Sequence, residues 1–166
     1  DLNLTWHFIG PIQSNKTKDI AQHFDWVHSV DRTKIAQRLS RQRPEDQPPM
    51  NVCIQVNIDN EESKSGINEN AIIPLAEQID LLDNLILRGL MIIPSKTDDI
   101  EQQRLSFHKA HALYQQLCAK YLSIDTLSMG MSNDMATAIS EGSTMVRIGS
   151  GIFGQRTTHP APGQVN

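Results

Sequence analysis

Residues 126–154 read TLSMGMSNDMATAISEGSTMVRIGSGIFG, and two short apolar runs stand out within them. The first run, Thr126–Met129, ends in the loop Gly130-Met131-Ser132. The second run, Thr144–Ile148, ends in the loop Gly149-Ser150-Gly151. Each run is short enough for a buried strand, and the small residues that follow are typical of a turn at the strand end.

A short helix is predicted between these two strands. Over residues 133–140, three apolar side chains recur at the spacing of one buried helix face, and they are Met135, Ala138 and Ile139. A strand, a helix and a second strand in this order predict two adjacent parallel strands. Both small-residue loops then lie at the same edge of the sheet.

The two loops are candidates for an anion site. Their backbone N–H groups and the hydroxyls of Ser132 and Ser150 would converge on one point, and barrels of alternating strands and helices often bind phosphate on such loops. Arg147 lies inside the second run, where a guanidinium needs a partner. The alternative is structural, because such loops are commonly plain turns and the arginine could pair with a carboxylate. The two loops and the arginine together favour a phosphate site.

Length and composition describe one globular domain. The chain has 166 residues, of which 39% are hydrophobic and 20% charged, and its formal net charge is −4. No block of Lys and Arg exceeds two neighbours, which argues against a nucleic-acid surface. No apolar run approaches the ~20 residues that span a bilayer, and no signal-peptide pattern opens the chain. We therefore expect a cytoplasmic protein without a membrane or nucleic-acid partner.

The cysteines and histidines do not predict a metal site. Cys53 lies in an apolar run and Cys118 in a predicted helix, without a CxxC motif, so both are expected to be reduced thiols. His108 and His111 are three residues apart on a predicted helix but lack nearby ligands on the same face.

The rest of the chain alternates strands with helices. Apolar runs predict four further strands, which are Thr5–Ile9, Trp26–Val30, Val52–Ile58 and Leu87–Ile93. Helices are predicted after them, from Ser14 to about Phe24, over Arg32–Arg41, from Asn68 to about Leu82 and from about Asp98 to Tyr121.

Six strands alternating with five helices predict an α/β fold with a parallel sheet. We predict a (β/α)8 barrel of the TIM type, of which this chain supplies about six of the eight βα units. The partial barrel is expected over residues 1–156, followed by a flexible tail over 157–166. The alternative is an open doubly wound sheet, because GSGIFG at 149–154 matches GxGxxG. That fingerprint belongs after the first strand, with an acidic residue ~20 positions later. Here only twelve residues follow Gly154, and none is acidic.

Several segments, in order along nearly the whole chain, match one known family. They are WHFIGPIQSNK at 6–16, QVNI at 55–58, SKSGI at 63–67, RGLM at 88–91, and the segments 127–135 and 142–154. In these segments the chain resembles the pyridoxal phosphate homeostasis proteins, single-domain relatives of the alanine racemase barrel (fold type III). The resemblance implies a protein that binds pyridoxal 5'-phosphate (PLP) as a carrier or regulator rather than as a turnover enzyme.

The resemblance also implies roles for individual residues. Ser132, Gly149 and Ser150 would hold the PLP phosphate, with Met131 of the first loop beside them. Arg147 would face the pyridine nitrogen, where a cation disfavours protonation and weakens the ring as an electron sink. The remaining expected cofactor contacts are His7 and Asn57, both near strand carboxyl ends. PLP-dependent apo-enzymes are the candidate partners, and no residue is assigned a catalytic role.

One departure from the family is large. The aldimine lysine that ends the family's first strand and the Gly-Glu-Asn-Tyr segment on its second are both absent from these residues, as if the first third of the family's chain were missing. Lys64, in the loop after the predicted strand Val52–Ile58, is the nearest substitute.

Two enzymatic alternatives remain. A PLP-dependent amino-acid racemase would need a tyrosine base from a second domain, whereas Tyr114 and Tyr121 lie on the predicted long outer helix. A cofactor-free sugar-phosphate enzyme would share the phosphate loops but would want a carboxylate or lysine base at a strand end.

An incomplete barrel would have two exposed sheet edges. We expect interior side chains to meet water through this gap, and the expected examples are Phe8, Val56, Met91 and Val146.

Overall fold

The computed structural model describes residues 2–61 and 64–154, and within them strands and helices alternate along the chain. The strands are β1 (His7–Phe8), β2 (Trp26–Val30), β3 (Met50–Val56), β4 (Leu85–Ile92) and β5 (Thr126–Ser128). The helices are α1 (Thr17–His23), α2 (Thr33–Gln42), α3 (Ile72–Asp80), α4 (Ile100–Cys118), α5 (Met135–Ser140) and α6 (Ser150–Phe153). Short 3-10 turns, Ser14–Lys16 and Glu69–Ala71, precede α1 and α3.

All neighbouring strands are parallel, and the sheet order β1-β2-β3-β4-β5 follows the chain. Gly89 of β4 pairs with Cys53 on one side and Thr126 on the other. A Cβ atom at Gly89 would lie 1.8 Å from the carbonyl oxygen of Thr126, and its φ of +149° is a conformation that glycine favours. Only glycine therefore allows β5 to approach β4 this closely.

The sheet is curled rather than flat. His28 on β2 and Ser128 on β5 are separated by two intervening strands, yet His28 Nδ1 lies 2.9 Å from Ser128 Oγ. Three strand spacings would separate these residues by ~14 Å in a flat sheet. The contact is possible because the strands curve around a concave side, as in part of a barrel wall. The prediction of an α/β barrel-type fold is confirmed.

Two apolar layers cover the two sides of the sheet. On the convex side the helices pack against the strands, with Phe107 of α4 and Leu90 of β4 both fully buried. On the concave side a smaller cluster joins Trp26, Cys53 and Met91, with Met145 against it.

The expected exposure of interior side chains is wrong for two of the four examples. Val56 is 2% exposed because it belongs to the convex layer, and Met91 is 0% exposed as a member of the concave cluster. Phe8 packs edge-on against Phe24, at 5.4 Å between ring centroids, on the helix side. Val146 is partly exposed.

The predicted strand Thr144–Ile148 is wrong as a regular strand. Its isolated parallel bridge joins Met145 to Ser128, and four backbone hydrogen bonds connect it to residues 127–130, but the pairing is too irregular to form a strand. The reason is competition from hydroxyl groups. The Leu127 N–H donates to Thr144 Oγ1 at 2.8 Å, and Ser143 Oγ donates to the Met129 carbonyl oxygen at 2.7 Å.

The last two helices also differ from expectation. Ser150 begins the short helix α6, where the sequence predicts only a loop. On α5, Ala138 is buried, but Met135 is 38% exposed and Ile139 is 54% exposed. The predicted apolar face of this helix is therefore only partly covered. Residues 155–166, which include the predicted tail 157–166, lie outside the described residues.

The long helix α4 begins where the sequence predicts. Asp99 is its N-cap, and its carboxylate accepts hydrogen bonds from the N–H groups of Glu101 (2.9 Å) and Gln102 (3.4 Å). These bonds satisfy two of the amides that a helix start leaves without a helical partner. None of the described helices has the length and apolar character needed to cross a membrane.

Candidate functional site

Two adjoining cavities open at the carboxyl ends of β4 and β5. Their volumes are about 240 and 640 Å³, and Ile93, Met131 and Arg147 line both. Ser132 and Ser150 line the smaller cavity, and the larger one is lined further by His7, His28 and Gly149. Small-molecule cavities commonly measure ~300–1,000 Å³. The pair is therefore large enough for a phosphorylated aromatic ligand.

The two small-residue loops meet at this edge, as predicted. Ser132 Oγ accepts a hydrogen bond from the Gly151 N–H at 3.1 Å, which joins the loop after β5 to the start of α6. The N–H groups of Gly149 and Ser150 have no acceptor within residues 2–61 and 64–154. A Cβ atom at Gly149 would meet nothing within 4 Å, so open space adjoins this segment. The loops thus offer free amide donors beside a cavity.

Arg147 is a partly buried cation held by neutral acceptors. Its Nη1 donates to Ser128 Oγ at 2.8 Å, and its Nη2 donates to the Ile92 carbonyl oxygen at 2.9 Å. None of the ion pairs among the described residues includes Arg147. Burial lowers the pKa of this guanidinium, and the more distant Asp134 carboxylate raises it in part. The structure therefore does not support the alternative of a structural carboxylate partner.

A hydrogen-bonded row of side chains extends from Arg147 across the concave side. Ser128 Oγ lies 2.9 Å from His28 Nδ1, and His28 Nε2 lies 2.8 Å from His7 Nδ1. Burial, with smaller contributions from His7 and Arg147, lowers the pKa of His28 to about 4. Burial also lowers the pKa of His7, and Asp25 opposes this shift. His28 is therefore a neutral imidazole near pH 7.

Asn57 and Lys64, which the sequence analysis named, line neither of the two cavities that Arg147 lines. The Asn57 amide closes the loop after β3, because Nδ2 donates to the Glu61 carbonyl oxygen (2.7 Å) and Oδ1 accepts from the Glu61 N–H (3.1 Å). Asn57 lines neither cavity, so its contact with a cofactor stays a prediction. Lys64 pairs with the Glu61 carboxylate at 2.9 Å and lines a separate cavity.

Sequence reasoning missed three residues of this region. His28 and Ser128 lie in the apolar runs WVHSV and TLSM and were not singled out from the sequence. A polar residue within a buried strand is the signal that indicates such a site. Lys96, in the loop after β4, lines the smaller cavity with an exposed side chain. No pattern in the sequence distinguishes this lysine from other loop lysines.

A second polar cluster lies on the concave side around Trp26. Arg88 Nε donates to Asp125 Oδ1 at 3.0 Å, and Arg88 Nη1 donates to Asn51 Oδ1 at 2.6 Å. The Arg88 guanidinium carbon lies 4.8 Å from the Trp26 ring centroid, and the His7 ring stacks on Trp26 at 5.2 Å between centroids. Trp26 thus connects this cluster to the cavity wall. No group of three or more potential metal ligands occurs in the part of the chain that the structure describes.

Comparison with known proteins identifies relatives over most of the chain. The family described as "Alanine racemase, N-terminal domain" matches residues 2–157. The pyridoxal phosphate homeostasis protein of Vibrio alginolyticus is 58% identical over 156 residues, which are 94% of this chain and 67% of that protein. The protein of the same name from Escherichia coli K12 is 51% identical over 153 residues, 92% of this chain and 65% of that protein. The chain thus spans about two thirds of the length of these relatives.

Comparison with solved structures identifies proteins that share the fold of this chain. PipY from Synechococcus elongatus, solved with PLP bound, superposes with a TM-score of 0.82 and 33% identity, covering 92% of this chain and 72% of that one. A Bifidobacterium adolescentis protein described as unknown gives a TM-score of 0.82 and 36% identity, covering 90% of this chain and 60% of that one. An alanine racemase from Clostridium difficile, at 14% identity and a TM-score of 0.67, shares the fold; it covers 89% of this chain and 39% of that one. The chain therefore belongs to the family of pyridoxal phosphate homeostasis proteins, within the alanine racemase N-terminal domain family.

Proposed function

We propose that this chain is the cofactor-binding part of a PLP homeostasis protein that carries PLP rather than turning over a substrate. The observation that carries this proposal is Arg147, a partly buried cation that opens onto a cavity and has no carboxylate partner in residues 2–61 and 64–154. Free amide donors of the small-residue loops border the same cavities. The names of the relatives and the PLP bound to PipY support PLP as the ligand.

The residues present fit PLP at both of its ends. The phosphate would be held by the Ser132 hydroxyl and the N–H groups of Gly149 and Ser150, where open space adjoins the loop. The guanidinium of Arg147 has five N–H groups, and three of them have no partner among the described residues and could bind the ring. Met131, which lines both cavities, would border the ligand.

The chemistry of this site suits binding better than turnover. Bound PLP supplies an aldehyde that reacts with amines and an aromatic ring that withdraws electrons. The permanent charge of Arg147 disfavours protonation of a neighbouring ring nitrogen, which weakens that electron withdrawal. Tyr114 and Tyr121 pack against the convex layer, away from the cavities. Neither tyrosine is therefore placed to act as a racemase base within the part of the chain that the structure describes.

PLP-dependent apo-enzymes that receive the cofactor are the partners we propose, in keeping with the homeostasis role that the relatives' name describes. A cytoplasmic location is part of this proposal. It is supported by the free thiols of Cys53 and Cys118, since disulfides are rare in a reducing compartment.

Equilibrium binding of PLP to the chain and two variants tests the site. Ser132→Ala should weaken PLP binding about fivefold, and Arg147→Met at least about tenfold, because the second change removes a charged donor. Ser140→Ala is the matched control, since among the described residues this exposed hydroxyl donates to Thr137 within α5 and to no site residue. Inorganic phosphate should compete with PLP. Equal PLP affinities in all four proteins, or the absence of competition, would contradict the proposal.

Covalent attachment is tested separately by borohydride reduction and mass spectrometry. We expect no stoichiometric adduct on a single lysine, because the Lys64 ammonium group is paired with the Glu61 carboxylate. Labelling of exposed lysines such as Lys96 should be partial and nonspecific. A stoichiometric reduced adduct on Lys64 or Lys96 would contradict binding through phosphate and Arg147 contacts alone.

A further inference from the structure

Arg147, Ser128, His28 and His7 form a hydrogen-bonded row. The chemistry of these groups determines the direction of the row, that is, which atom donates in each hydrogen bond. Arg147 can only donate, so Ser128 Oγ is an acceptor at this end. Ser128 is fully buried, and its two side-chain contacts among the described residues are Arg147 and His28 Nδ1. Its hydroxyl hydrogen therefore has one available acceptor, the lone pair of His28 Nδ1.

The direction continues through both imidazole rings. If His28 accepts at Nδ1, its proton is on Nε2, which then donates to His7 Nδ1. His7 in turn accepts at Nδ1 and carries its proton on Nε2, which has no partner in residues 2–61 and 64–154. His7 lines the larger cavity. The last donor of the row is therefore available at the cavity wall.

The opposite direction would leave a buried group unsatisfied. If His28 Nδ1 donated to Ser128, the serine oxygen would accept twice and its own hydrogen would have no acceptor. Leaving a buried polar group without a partner costs folding free energy. Protonating both nitrogens of His28 would place a second cation one hydroxyl away from Arg147. The neutral Nε2–H form of both histidines is the arrangement that satisfies the buried groups of the row, Ser128 and His28.

We propose that Ser128, His28 and His7 are positioning residues that fix His7 as an N–H donor to the ligand held by Arg147. The cavity then presents two donors, the Arg147 guanidinium and His7 Nε2, to the ring of the bound molecule. The ligand class selected is a phosphorylated aromatic ring whose edge carries hydrogen-bond acceptors, and a ring that presents donors to His7 is rejected. The ligand part of this inference rests on the function proposed above, whereas the tautomers belong to the ligand-free chain.

Nitrogen-15 NMR of the histidine rings tests the direction without any variant or ligand. Near neutral pH, both His7 and His28 should show the pattern of the Nε2–H tautomer. A protonated Nδ1 on either ring would overturn the proposal. Because the measurement uses the ligand-free chain, its result is independent of whether PLP binds.

A hydroxyl deletion separates positioning from a merely structural role. Ser128→Ala removes the acceptor of Arg147 and the donor to His28, so His7 should lose its single tautomer and PLP affinity should fall about tenfold. Affinity for inorganic phosphate, which needs only the loops, should change less than about twofold. Ser29→Ala is the control, because it removes an equally buried hydroxyl of β2 that donates to Gly10 outside this row. An unchanged His7 tautomer in Ser128→Ala would overturn the proposal, and so would equal losses of PLP and phosphate affinity. Failure of the unaltered chain to bind PLP would instead refute the function proposed above.

Discussion

Mild acid should destabilise the folded chain through one buried imidazole, that of His28. The ring is 0% exposed and lies between His7 and Ser128, within reach of the Arg147 charge. Burial and the neighbouring groups lower its pKa from 6.5 to about 4 in the folded state. Between these two pKa values, His28 is protonated in the unfolded chain and neutral in the folded chain. Stability therefore falls as the pH decreases through this window.

The size of the effect follows from the two pKa values of His28. A single group with pKa 6.5 unfolded and about 4 folded lowers the free energy of unfolding by about 2 kcal/mol between pH ~7 and pH ~5. This is a substantial part of the ~5–15 kcal/mol that stabilises a typical domain. Burial lowers the pKa of His7 as well, which adds a contribution of the same sign. Asp59 and Asp125 have lowered pKa values, so their contributions are lost only in stronger acid.

Urea unfolding at the two pH values, followed by circular dichroism, measures this loss. His28→Gln carries an amide that does not titrate, so its loss of unfolding free energy should be about 2 kcal/mol smaller than that of the unaltered chain. His23→Gln is the control, because His23 is exposed on α1. Comparing each variant with the unaltered chain cancels the groups that they share. The same pH dependence in the unaltered chain and in His28→Gln would refute the reasoning.

Three further predictions concern packing, capping and thiol reactivity. Gly89→Ala should lower the free energy of unfolding by at least about 3 kcal/mol in urea, because the new Cβ atom meets the Thr126 carbonyl group. Gly149→Ala, the control, should leave stability nearly unchanged. Similar losses in both variants would contradict the close approach of β5 to β4. Asp99→Ala should cost about 1 kcal/mol by removing the α4 cap, while Asp99→Asn, which keeps the acceptor, should cost less. The Cys53 thiol is buried, and burial raises its pKa to about 12. An aromatic disulfide reagent should therefore label Cys53 only after the chain unfolds. Rapid labelling of the native chain would show that the concave cluster opens.

The fold could be predicted because its signals are local. The runs that form β2 and β3 are apolar and short, and the segments between strands carry helix caps and helical spacing. Alternation of these elements was sufficient to indicate a parallel sheet with helices on its convex side. The sixth predicted strand is irregular because the Ser143 and Thr144 hydroxyls take two of its backbone partners, the Met129 carbonyl and the Leu127 N–H. That competition depends on side-chain geometry, which apolar patterning does not contain.

The candidate site was only partly predictable. Ser132, Ser150 and Arg147 were predicted because each follows or interrupts a short apolar run. His28 and Ser128 were not found, since they are 100 residues apart and meet only through the curl of the sheet. Their pairing is a property of the three-dimensional arrangement.

The position of Trp26 gives this chain an internal optical reporter. Trp26 is 9% exposed and stacks on the His7 ring, whereas Trp6, the other tryptophan of the sequence, is 57% exposed. Iodide in solution should quench the emission of Trp6 first and leave that of Trp26. The remaining emission comes from an indole in contact with the cavity wall. Ligand binding in the cavity could therefore be followed by the fluorescence of Trp26, without a label and without a change in the sequence.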